Sequence, residues 1–270
     1  MAVDLDRMTV EEAGPNPQKL AGEIHRQLGH RRGAVPIGGI VRALDIVEVR
    51  SAPLDNLEGA LVTLPERGYG AILVNSRSGR RRARFTMAHE LGHFLKPFHR
   101  PTAERGFECS RHDLNRWSQN TGDRHRRQEA EANAFAIELL APERLARPWL
   151  DAEVDLAQVL ELSTDLEISR QAAARRYVEL HEASLAIVFS TGGRFWFATR
   201  SRAFPLLSLG RDDPMPALPD PAGGALSGIE EADPLDWLRG SPGADLFVQT
   251  LHQQNGHAMT LLWAENGEEH

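Results

Sequence analysis

Residues 85 to 95 read Phe-Thr-Met-Ala-His-Glu-Leu-Gly-His-Phe-Leu. Within them His89, Glu90 and His93 form a His-Glu-x-x-His motif. On a helix, positions four apart lie one above the other on the same face. Two imidazoles so placed can grip one Zn²⁺, at about 2.0–2.1 Å per nitrogen. Glu90 follows the first histidine and is placed to act as general base on the attacking water without itself binding the metal. The local grammar is that of a helix: Thr86 is a good N-cap before Met87, and Pro97 ends the run soon after Leu95. Five-residue patterns of this kind also arise by chance, as two idle histidines on an ordinary helix. The apolar setting, the start signal and a third ligand candidate downstream decide for zinc, one ion per chain.

That third ligand is sought in residues 126 to 141, a helical stretch stopped by Pro142. Ala132, Phe135, Ala136, Leu139 and Leu140 make its apolar stripe. At ~100° per residue, Glu129 lies roughly 50° from the stripe's centre, whereas Glu131 and Glu138 fall beyond ~100°, toward solvent. Glu129 also stands four residues before Asn133, which is suited to orient an imidazole N–H from behind the ligands. His89, His93 and Glu129 together match the two-His, one-Glu catalytic zinc pattern with an open fourth position. Glu131 is the alternative.

Composition bounds the rest. The 270 residues allow one large domain or two to three small ones. A hydrophobic fraction of 41% and a charged fraction of 26% belong to an ordinary globular chain with a real core. A formal net charge of −7 argues against a general nucleic-acid or membrane-surface binder. The single cysteine, Cys109, excludes an intrachain disulfide framework and fits a reducing compartment. With neither a signal-peptide pattern nor a long apolar run, the expected location is the cytoplasm, with no membrane partner.

Along the chain, residues 1–17 read as a flexible lead-in and 18–145 as the zinc domain. Residues 18 to 30 carry Leu20, Ile24 and Leu28 on one helical face, and Pro36 opens a shorter helix. Ile46 to Val49 reads as a strand. Gly59–Leu64 and Gly70–Asn75 read as a hairpin. The second of these precedes the metal helix, so Leu73, Val74 and Asn75 are candidate substrate contacts, if this strand is a sheet edge able to pair with an extended peptide. An interior strand is the other reading. Arg77, Arg80, Arg81, Arg82 and Arg84 read as a solvated basic loop rather than a grip on acidic substrate. Residues 97–127 form a long excursion with at most a short helix near Leu114 to Trp117. Its Cys109 and His112 have metal-like spacing without a second pair. Cys109 reads as a thiol packed under the loop, with a cysteine over the zinc as the sharper reading.

The run Arg84-Phe85-Thr86-Met87-Ala88-His89-Glu90-Leu91-Gly92-His93, followed by Glu129 through Asn133, Phe135, Ala136, Leu139, Leu140 and Pro142, resembles the ImmA/IrrE family of metallopeptidases. The resemblance implies an α+β fold with a gluzincin-like zinc peptidase domain. It carries the zinc roles onto His89, His93 and Glu129 and the catalytic base onto Glu90. It also implies a protein substrate, a helix-turn-helix repressor cut to release stress or mobile-element genes. The excursion between His93 and Glu129 is long for that family. The motif names no residue for the transition state, for which Tyr69, His99 and His125 are the candidates.

Residues 146–183 read as a helix-turn-helix-like segment, in which Ser169 caps Arg170 to Leu180. Arg170, Gln171 and Arg175 could read DNA. The acidic residues Asp151, Glu153, Asp155, Glu161, Asp165 and Glu167 would repel phosphates, and a packing role is favoured over direct DNA binding. Residues 184–270 alternate as strands. Leu185–Ser190 and Arg194–Arg200 form one hairpin, and Leu246–Leu251 with His257–Trp263 form another. Residues 210 to 245 read as a long loop with one helical turn near Trp237. This small α+β unit is where longer members of the resembled family carry a GAF-like sensor domain. Phe195, Trp196 and Phe197 read as packing. The rival to a peptidase is a regulatory binding module, repressor- or DNA-binding and toxin-antitoxin-like, whose zinc site is not proteolytic.

Overall fold

A computed structural model describes residues 3–101, 106–115, 122–150, 153–221, 224–240 and 243–266. The chain clusters into two compact units, residues 1–145 with 165–169, and residues 146–164 with 170–270.

The first unit opens with α1 (Arg7–Glu12) inside the stretch expected to be loose. Asp6 caps it by accepting from the amides of Met8 and Thr9. Val10 is fully buried beneath it. The Arg7 guanidinium donates to the carbonyls of Arg67 and Gly68 and lies 4.5 Å from the Phe94 ring centroid. The lead-in is therefore docked from residue 5 onward, by the buried Leu5 and Val10, the Asp6 amide donating to Gln27 at 2.7 Å, and the Arg7 cation. Next come α2 (Pro17–Leu28), capped by Asn16 with Pro17 at its start, and α3 (Ile37–Ala43). The strands β1 (Ile46–Ala52), β2 (Gly59–Thr63) and β3 (Gly70–Asn75) follow.

The metal-motif helix α4 spans Arg80–Leu95, beginning six residues before the expected cap. Gly79 is its N-cap, and Thr86 is a fully buried interior residue. Of the arginines expected in a loop, Arg77 lies in the turn before the helix, while Arg80, Arg81, Arg82 and Arg84 are its first turns, because arginine is a good helix former and these have partners. Arg80 pairs with Glu167 at 2.9 Å, and the buried Arg84 donates to the Val35 carbonyl at 2.9 Å. Then come β4 (Gly106–Cys109), a 3-10 turn at Asp113–Asn115, and α5 (Arg124–Leu140), capped by Asp123. The short helix sought near Leu114 to Trp117 is this turn as far as Asn115; the remainder falls outside the described residues. The excursion, which carries no strand signal in sequence, supplies one.

The sheet order is β1-β3-β2-β4, with β3 parallel to β1 and antiparallel to β2, and β2 antiparallel to β4. Hence β3 is an interior strand, and the edge-strand expectation for Leu73, Val74 and Asn75 is corrected. Its continuous apolar run Ala-Ile-Leu-Val is what a strand with a neighbour on each side and both faces covered shows. Asn75 is occupied locally: Nδ2 donates to the carbonyls of Leu54 (3.0 Å) and Leu57 (2.7 Å), and Oδ1 accepts from the Arg77 amide.

The second unit holds α7 (Leu156–Asp165, apart from its last residue) and α8 (Arg170–Leu180), preceded in the chain by the short α6 (Glu143–Ala146). An antiparallel sheet follows, of order β6-β5-β9-β8-β7. Its strands are β5 (Ser184–Thr191), β6 (Arg194–Arg200), β7 (Glu230–Ala232), β8 (Ala244–His252) and β9 (His257–Asn266). Strand β7 and the turn of helix α9 (Pro234–Trp237) lie in the stretch read mainly as loop. Trp237, Phe204, Phe195, Val188 and Leu262 form the core on one face. Helix α8 packs on β5 and β6. Of the proposed DNA-reading side chains, Arg170 donates to Gln253 at 2.6 Å and Arg175 is half-buried. That suits packing better than a groove-reading face.

Candidate metal centre

Helices α4 and α5 lie side by side, and their close approach sets the site. At Gly92 a Cβ would meet Phe135 at 3.0 Å and the Ala132 backbone at 3.3 Å, so the glycine lets α5 come near enough for Glu129 to face both histidines. Glu129 Oε2 is 3.2 Å from His89 Nε2, and its Oε1 is 3.4 Å from His93 Nε2. The two Nε2 atoms are 3.1 Å apart. All three side chains are fully buried.

The hydrogen bonds behind the imidazoles determine what each presents. Asn133 Nδ2 donates to the Asp113 carbonyl at 2.9 Å, so its Oδ1 is the acceptor facing His89 Nδ1, also at 2.9 Å. His89 is thus protonated on Nδ1 and offers a lone pair on Nε2. For His93 the path has one more link. Glu131 Oε2 accepts from His99 Nε2 at 3.2 Å, which leaves His99 Nδ1 to accept from His93 Nδ1 at 2.9 Å. His93 also offers its Nε2 lone pair. Two lone pairs and a carboxylate therefore converge, and neither Glu129 oxygen has a hydrogen-bond partner. Such a cluster is repulsive until a cation neutralises it, so these residues fit a divalent metal, and nitrogen and oxygen donors of this kind suit zinc.

Without an ion the two imidazoles differ: His93 is held neutral, whereas Glu129 favours a proton on His89, one that a bound cation would displace. Burial would raise the Glu129 carboxyl, but the two imidazoles facing it outweigh that and hold it far below the usual carboxylate range. Burial pushes His93 down to about 3, against the pull of Glu129, and keeps it neutral as a ligand must be. For His89, burial acts downward and Glu129 more than offsets it, leaving it raised. Glu90 is fully buried, with both oxygens lacking a hydrogen-bond partner. Burial raises its carboxyl to about 7, opposed by His89. A fourth potential donor, Cys109, shares the cluster: its thiol and the ligand atoms of His89, His93 and Glu129 all lie within 4.8 Å of one another.

The profile of the IrrE N-terminal-like domain, peptidase M78, matches residues 45–177. This chain carries a peptidase M78 domain of the ImmA/IrrE family. The matched region runs past α5 through α7 and into α8, so it extends over residues 146–177 of the helix-turn-helix-like segment. Among curated proteins none matches the chain. Of solved structures, it is similar to a Mycobacterium tuberculosis transcriptional regulator, with 13% identity and a TM-score of 0.55 over 94% of this chain and 90% of that one. At that identity the likeness speaks to the fold.

The candidate residues His89, Glu90, His93 and Glu129 expected from the sequence are brought together, with Asn133 behind His89. Glu131 stands apart, paired with the buried Lys96 at 2.8 Å and with His99. Of the transition-state candidates, Tyr69 is 56% exposed and His99 lies behind His93. His125 approaches Glu129 at 3.6 Å and Asp113 at 3.4 Å. Arg67 escaped the sequence reading. Buried, it donates to the His93 carbonyl at 2.7 Å and to those of Phe94, Lys96 and His99, closing the C-terminal end of α4 and holding His99 against His93. It sits in a Pro-Glu-Arg-Gly turn, where an arginine ordinarily means a solvated tip, and its backbone φ of 52° is the only local sign of its role. No helix among the described residues is long and apolar enough to cross a membrane.

Proposed function

We propose that the chain is a cytoplasmic zinc-dependent endopeptidase acting on a protein substrate, a helix-turn-helix transcriptional repressor, so that stress or mobile-element genes are derepressed. The observation that carries this reading is Glu90, a fully buried carboxyl with no cationic partner beside a two-His, one-Glu ligand set. A purely structural metal site has no use for it, because burying a carboxyl away from water and cations costs stability. His89, His93 and Glu129 would hold the ion. Bound there, zinc supplies a Lewis acid that polarises the scissile carbonyl and acidifies water. Glu90, with its proton affinity raised to near neutrality, takes the proton of the attacking water and returns it to the leaving amide nitrogen. His125, half-exposed and adjoining Glu129, would donate to the developing oxyanion. The second unit, an α+β sheet domain, would act as the GAF-like sensor.

Comparison of protein N-termini in cells expressing wild type or Glu90→Gln, with and without DNA-damaging stress, tests this. A new N-terminus that requires Glu90 is expected, and it identifies the substrate. Cleavage that persists in Glu90→Gln refutes the assigned base. The second reading, a regulatory binding module whose metal site is not proteolytic, draws on the complete burial of the centre and on the name of the structural neighbour. A DNA gel-shift that survives Glu90→Gln and fails with Arg170→Ala plus Arg175→Ala would favour it.

A further inference from the structure

Strand β4 is the feature that the proposed chemistry does not use. It lies antiparallel on β2, with Cys109 opposite Gly59, Glu108 opposite Ala60 and Phe107 opposite Leu61. It therefore occupies the β2 edge nearest the centre, where an extended peptide could add as a strand. Residues two apart on a strand share a face, and here Phe107 and Cys109 both turn toward the metal cluster. Phe107 stacks on the His93 ring, with centroids 4.5 Å apart and planes at 22°. The Cys109 thiol, fully buried, completes a four-donor group with His89, His93 and Glu129.

A second observation points to a ligand at the same place. Both oxygens of Glu129 are buried without hydrogen-bond partners and lie beside the thiol and the two imidazoles. The thiol interacts with Glu90 and also stands within reach of both imidazole nitrogens and Glu129, a polar setting unlike that of a cysteine packed as a small hydrophobe. Two nitrogens, one oxygen and one sulfur make a closed tetrahedral set, whereas a catalytic site keeps one position open. The strand is also closely seated. At Gly106, with φ of 156°, a Cβ would stand 1.9 Å from the Leu61 carbonyl oxygen, so any other residue would lift β4 from β2.

We propose that Cys109 is a fourth ligand of the metal centre, delivered by β4 as a self-supplied edge strand, and that this closes the site in a latent state. The inference rests on the metal-dependent reading above and adds its regulation: substrate enters only when β4 leaves the β2 edge and the thiol leaves the metal.

The test uses the full chain loaded with Co²⁺, with metal content measured after desalting. One Co²⁺ per chain and a near-ultraviolet thiolate-to-cobalt charge-transfer band are expected in the wild type. The band should vanish in Cys109→Ala while the metal stays. Acetohydroxamate should leave the visible cobalt bands of the wild type unchanged and shift those of Cys109→Ala. Cobalt bound by the wild type without the charge-transfer band overturns the thiol ligand. A wild type whose visible bands shift with acetohydroxamate overturns the closure. A wild type that retains no cobalt overturns the metal-centre reading and this inference with it. Should Cys109→Ala fail to fold, both wild-type arms still decide the matter.

Discussion

At the scale of single residues, hydrogen bonds behind each imidazole set which nitrogen it would offer to a metal. Asn133 does this for His89 directly, and Glu131 does it for His93 through His99. Both arrangements place a proton on Nδ1 and a lone pair on Nε2, and losing such a support typically costs about 10–100-fold in metal affinity. Asn133→Ala should therefore bind zinc about 10–100-fold more weakly, read by competition with a chromogenic chelator. An unchanged affinity would show that the tautomer of His89 is set by something else. Asn133 was legible in the sequence because it lies one helical turn from Glu129. The Glu131–His99 path was not, since nothing in a run of arginines, histidines and prolines tells that residue 99 folds back under residue 93.

Among elements, α4 depends most on a residue outside itself. Its last carbonyls lie in the interior, where water cannot satisfy them, and the Arg67 guanidinium takes up those of His93, Phe94 and Lys96. A cation at a helix C-terminus is favoured by the helix dipole as well. Hydrogen bonds to charged groups are worth ~1.5–3 kcal/mol each, and leaving buried carbonyls unpaired adds to the loss. Arg67→Met, which keeps the length and removes the donors, should destabilise the protein by about 3 kcal/mol or more in urea unfolding. A loss below about 1 kcal/mol would mean that water reaches these carbonyls after all. Both ends of α4 differ in kind from their sequence signals. Pro97 marks the stop correctly within two residues, but the end is held by Arg67. The start at Arg80 was hidden because arginines that pair with Glu167 and Val35 look, in sequence, like any exposed basic run.

For the molecule as a whole, the ligands come from α4 and α5, and the thiol from β4, all within the first unit. Zinc should therefore stabilise that unit, and at a thousandfold excess over Kd the gain is about 4 kcal/mol. Hydrogen exchange of α4 and α5 amides should slow on loading and return to its original rate with a chelator. The β5 to β9 sheet should be unaffected. Equal slowing in both units would mean that the ion acts somewhere other than between α4 and α5. The compact units also explain why the sequence divided the chain more neatly than the fold does. Residues 165–169 cluster with the first unit although their flanking helices cluster with the second, and a change of periodicity cannot report that.

What the sequence determined alone was local and periodic: an i, i+4 histidine pair with its glutamate, a glutamate near the apolar stripe of a second helix, and hairpins marked by their turns. These follow from bonds and spacings within a few residues, so a linear reading suffices. What only the tertiary structure decided was which strand is an edge, which side chain lies beside His89, His93 and Glu129, and which cation closes α4. Strand order depends on pairing between residues far apart in the chain: β3 is interior because β1 lies on its other side, and the edge beside the centre belongs to β4. Cys109 and Arg67 draw their roles from neighbours that folding alone supplies, and no local pattern encodes those neighbours.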